Sequence, residues 1–98
     1  MSFFGPPIKY SQQKHALTTQ QVDLLMQHIH SSNIDLKNKA DVEQAILNRR
    51  YSDGMISLQL IYETLLSLRD KNIISKFDVG NFMGFFEQFF NEHFGSQK

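Results

Sequence analysis

Phe82-Met83-Gly84-Phe85-Phe86-Glu87-Gln88-Phe89-Phe90 holds five of the nine phenylalanines in the chain. Wound as a helix at 100° per residue, Phe86 becomes the centre of one face. Val79, Phe82, Phe89, Phe90 and His93 fall within about 60° of it, with Met83 and Phe94 at the edges. Gly80, Gly84, Glu87, Gln88 and Asn91 fall on the other side. The period is 3.6 residues, not the two residues of a strand. Burying one phenylalanine is worth roughly 1.5–3 kcal/mol, so this face has to be covered. It is expected to be the core face of the last helix, and in part an interface. Gly80 and Gly84, one turn apart on the back, would let a second backbone approach.

The neighbouring stretches define that helix and the one before it. Ser75-x-x-Asp78 is a capping box, with Ile74 and Val79 as a hydrophobic staple, and Gly95 is a stop, so a helix is expected over 75–94. A helix over about 56–71 precedes it, stapled by Ile56 and Ile61. It ends at Asn72 with Leu68 and Ile73 in a Schellman contact. Leu58, Leu60, Ile61, Tyr62, Leu65, Leu66 and Leu68 surround most of its circumference, which is the pattern of a buried central helix. The short connection predicts an antiparallel hairpin of these two helices.

Further out, Thr18-x-x-Gln21 caps a first helix over 18–32, with Leu17 and Val22 as its staple and Asn33 at its end. A second helix, expected over 38–51 from Asn38, has the thinner apolar set Val42, Ala45, Ile46 and Leu47. Residues 1–16 are expected to be an extended arm, because Pro6-Pro7 excludes helix there, with Phe3, Phe4, Ile8 and Tyr10 either folding back on the helices or strapping onto a partner. The expectation is therefore an all-α fold: a small four-helix bundle-like domain over 17–98, with helices 3 and 4 as the central hairpin, plus the arm.

Composition narrows the function classes. Lys+Arg and Asp+Glu both number 10, so the net charge is zero. A dedicated nucleic-acid binder normally carries a basic excess. There is no cysteine, which removes disulfides and thiolate metal sites and points to the cytoplasm. No run of 18 apolar residues exists to span a membrane. Met1 to Tyr10 has neither a basic start nor an apolar run, so no secretory signal is expected there. The size, neutrality and dense capping suggest a small bacterial or phage protein.

Candidate chemistry is sparse. Asp53-Gly54-Met55-Ile56-Ser57 resembles the second half of an EF-hand loop, with Gly54 at the sixth position and Ile56 at the eighth. That resemblance puts Arg49, Tyr51, Asp53 and Leu60 at the first, third, fifth and twelfth positions. One acid among them cannot neutralise calcium. A helix–loop–helix of that shape without metal is what the resemblance leaves. His28 and His30 point about 200° apart on a helix and cannot share an ion. No Ser-His-Asp order, H-E-x-x-H or phosphate-binding glycine loop is present, so no enzymatic activity, cofactor or metal is expected.

The expected function is a non-enzymatic protein–protein interaction module, homodimeric, acting as a small regulator or adaptor through an apolar helix 3/helix 4 surface. The expected partners are a second copy and possibly another protein. Its interface candidates are Phe82, Phe85, Phe86, Phe89, Phe90, His93, Leu60 and Leu66, with Phe3 and Phe4 from the arm. A histidine inside such an interface would make association pH-dependent. The first alternative is a nucleic-acid-linked transcriptional regulator using Lys37, Lys39, Arg49 and Arg50. It is disfavoured because the following helix is rich in leucine and poor in the polar groups that read base edges. The second is a carrier of a small apolar ligand.

Overall fold

The structure is a computed structural model, and it describes residues 8–28 and 36–95, with the side chains of 28 and 36–38 left out. Four helices and two short strands follow in the order β1 (Lys14–Ala16), α1 (Thr19–His28), α2 (Leu36–Arg49), β2 (Met55–Ser57), α3 (Leu58–Asp70) and α4 (Lys76–Phe94). The described residues are mostly helical, as expected. The all-α expectation roughly holds, with one addition: a small two-stranded antiparallel sheet, in which Lys14, His15 and Ala16 pair with Ser57, Ile56 and Met55. Its β1 strand comes from the end of the expected arm. Its β2 strand takes the residues expected to begin helix 3. Three-residue strands have too few alternations to leave a period-2 signature, which is why neither was legible.

The helix ends follow local chemistry. Thr18 Oγ1 accepts from Gln21 N at 3.1 Å, and Gln21 Oε1 accepts from Thr18 N at 2.9 Å. Ser75 and Asp78 make the same reciprocal pair at the start of α4. Ser57 Oγ accepts from Leu60 N at the start of α3. At the end of α3, Asn72 takes φ 61°, Ile73 N donates to Leu68 O and Asn72 N donates to Arg69 O. Those are the two hydrogen bonds of a Schellman motif. α2 begins at Leu36, so Asn38 lies inside the helix rather than capping it. The expected end of the first helix, with Asn33, lies outside the described residues.

α3 is the centre. It makes its largest interface with α4 and its next with α2, while α1 packs on α2 and more lightly on α4. Phe82, Phe86 and Phe90 of α4 are fully buried against Leu58, Ile61 and Leu65 of α3, Val22 of α1, Val42 and Ile46 of α2 and Leu17 in one core. α2, the turn at Gly54, β2 and α3 make a helix–loop–helix. Gly54 sits at φ 81°, a conformation that L side chains rarely adopt. Asp53 Oδ1 accepts from Met55 N at 3.0 Å, so the loop's one carboxylate closes a turn.

Residues 8–13 run across the start of α3. Gln59 is 4% exposed, and its Oε1 accepts from both Lys9 N and Tyr10 N at 3.0 Å. Gln59 N donates to Ser11 O at 3.0 Å, and Gln59 Nε2 donates to Glu63 Oε2 at 3.0 Å. The Tyr10 and Tyr62 rings lie 5.0 Å apart, with Lys9 Nζ 5.9 Å from the Tyr62 ring. This segment covers part of the apolar circumference of α3 that the sequence left open.

Candidate functional site

Outside the closed core, an apolar hollow lies between α1 and α4. Leu24, Leu25, Phe85, Gln88, Phe89, Glu92 and His93 line an open groove of about 350 Å³. Leu25 is buried and forms its floor. Leu24 is 51% exposed on the rim, and Phe85 and Phe89 are half-buried in the walls. The helical period produces this arrangement. Phe82, Phe86 and Phe90 point into the core, while Phe85 and Phe89 sit about 60–100° round the helix from Phe86, toward α1.

The far end of the groove is aromatic. The His93 ring stacks on Phe89 with centroids 4.1 Å apart, and His93 Nδ1 donates to Phe89 O at 3.1 Å. A carbonyl can only accept, so Nδ1 carries the hydrogen. Phe94 meets Phe89 and Phe90 edge-on, at 6.3 and 5.2 Å. His15 of β1 stacks on Phe94 at 4.3 Å, so β1 closes the end of α4. The rim is polar: Gln88 Nε2 donates to Glu92 Oε2 at 3.3 Å.

The expected interface residues are divided by the fold. Phe85, Phe89 and His93 come together in the groove. Phe82, Phe86 and Phe90 lie in the interior of this same chain. Leu60 and Leu66 of α3 are half-buried and border the core, and Leu60 lines a separate shallow depression with Ile8, Tyr51 and Glu63. Phe3 and Phe4 lie outside the described residues. Leu24 of α1 was not a candidate. Its signal was a leucine on the solvent side of an otherwise regular amphipathic helix.

Of the basic candidates among the described side chains, Lys39 lies near the start of α2 and Arg49 and Arg50 at its end. Arg50 is half-buried, with Nη1 donating to Leu17 O at 2.8 Å and Nε to Leu47 O at 3.1 Å. Arg49 is exposed in the last turn of α2. Lys39 borders a depression that also holds Asp23 and Glu43. Burial, and then the nearby Asp23 carboxylate, raise the Glu43 pKa above the usual glutamate value. The side chain of Lys37 is outside the described set.

Among the described residues no three His, Asp or Glu side chains gather where a metal ion could be held. No described helix is long and apolar enough to cross a membrane. No family model, curated protein or solved structure matches the chain.

Proposed function

We propose that the chain is a non-enzymatic protein–protein interaction module, homodimeric, that works as a small regulator or adaptor. The observation that carries this reading is the uncovered apolar groove between α1 and α4. A wall of phenylalanine beside half-exposed Leu24, under a rim of Gln88 and Glu92, is the composition of a contact patch: apolar at the centre, polar at the edge. The contact surface of the reading is therefore the α1/α4 face, in place of helix 3 with helix 4. α3 and α4 serve it as the antiparallel hairpin at the centre of a bundle-like domain. The chain's lack of cysteine supports a cytoplasmic setting. The nucleic-acid alternative draws no support from Arg50, whose guanidinium is engaged by two carbonyls of its own chain.

Multi-angle light scattering of the full chain at tens of micromolar tests the reading. The expected mass is that of two copies, and a mass of one copy across the range overturns the homodimer. One observation favours a second reading, a carrier of a small apolar ligand: a volume of about 350 Å³ lies within the range of ligand pockets. Native mass spectrometry of freshly purified protein separates the two, because a carrier retains a ligand mass.

A further inference from the structure

The groove shares a helix with the most exposed large apolar side chain of the described residues. Phe77 is 79% exposed in the first turn of α4, whereas the groove lies toward the other end. At 100° per residue, Phe77, Asn81, Gly84, Phe85, Gln88 and Glu92 fall on one face about 100° wide. The strip thus carries a projection at one end and a hollow at the other.

We infer that two copies pair through this strip, with their α4 helices antiparallel and Phe77 of each copy seated in the α1/α4 groove of the other. The inference rests on the homodimeric reading above and gives it a geometry. A two-fold interface uses the same patch on both copies, so the patch must be complementary to itself. Phe77 lies about 10 Å along the axis on one side of Gly84, and Glu92 about 12 Å on the other. A crossing beside Gly84 therefore brings each projection to the opposite hollow.

Charge points the same way. Lys76 is exposed beside Phe77 at one end of α4, and Glu92 is exposed on the rim of the groove toward the other. The Asp78 carboxylate accepts from Ser75 N in the cap and is buried, so Lys76 is the exposed charged side chain at that end of the helix. The exposed charge of α4 thus goes from positive at its start to negative toward its end. Antiparallel pairing sets unlike charges together, whereas parallel pairing would set like against like. The crossing point is open as well. A Cβ added at Gly84 would meet nothing within 4 Å in its own chain.

Sedimentation equilibrium of the full chain and its variants tests the geometry. Phe77→Asp and Leu24→Asp are each expected to weaken self-association by about tenfold or more. Far-UV circular dichroism and melting temperature of the dissociated chain should hold for Phe77→Asp, because that side chain is mostly in water. Lys76→Glu and Glu92→Lys should each weaken pairing, and the two together should restore it. Gly84→Leu should weaken pairing while favouring the helix of the single chain. A dimer whose affinity is unchanged in Phe77→Asp and Leu24→Asp overturns this geometry and leaves the homodimer standing. A wild-type chain that stays monomeric overturns the homodimer and the geometry together.

Discussion

His15 shows how much a single residue depends on partners distant in sequence. Its ring stacks on Phe94 at 4.3 Å and 5° and meets Phe90 edge-on at 5.8 Å, while its Nε2 is buried with no hydrogen-bond partner among the described residues. In the sequence it is one polar residue in a mixed arm, and nothing near it announces an aromatic site. An unsatisfied buried polar atom costs about 1–3 kcal/mol. His15→Phe keeps the ring stack and removes that atom, so it should stabilise the fold by about 1 kcal/mol in urea unfolding. A loss of stability would mean that Nε2 has a partner. Other single residues were legible because their chemistry is local. Ser75 with Asp78, Thr18 with Gln21 and Asn72 each act within four positions of themselves.

At the scale of elements, the segment from Ile8 to Ala16 folds back on the helices, the first of its two expected outcomes, and adds a strand that was not expected. It is clasped by Gln59, stacked on Tyr62 and paired to β2. Tyr10 reports on this clasp. Burial first, then the negative charges of Glu87 and of an ionised Tyr62, raise its pKa above the ordinary tyrosine value of 10.0. A phenol whose folded pKa is raised contributes stability that is fully present below the unfolded value. That contribution is lost as pH rises through the folded value, because the unfolded chain ionises first. Stability should therefore fall above about pH 10, and less steeply in Tyr10→Phe. Equal slopes for the two proteins in alkaline thermal melts would detach Tyr10 from the fold. The Gln59 clasp was not legible, because a glutamine inside an otherwise regular polar strip gives no sign of being buried.

At the scale of the whole molecule, the core is one cluster joined through Phe82, Phe86 and Phe90. Phe86→Ala should cost about 3–5 kcal/mol. That is a large share of the stability typical of a domain this size, so the variant should melt at a markedly lower temperature. Phe77→Asp, on the same helix, should leave the melt of the dissociated chain unchanged. The contrast between two phenylalanines nine positions apart is a contrast of helix face. The sequence by itself determined the four helices, most of their ends and the face of α4 that had to be buried, because periodicity and capping act within a few residues. Only the tertiary structure decided which rings close the core and which line the groove. It also placed Leu24 beside Phe89, laid Tyr10 on Tyr62 and engaged Arg50 with Leu17. Each of those depends on which elements meet, and the packing of the elements is set by the whole chain.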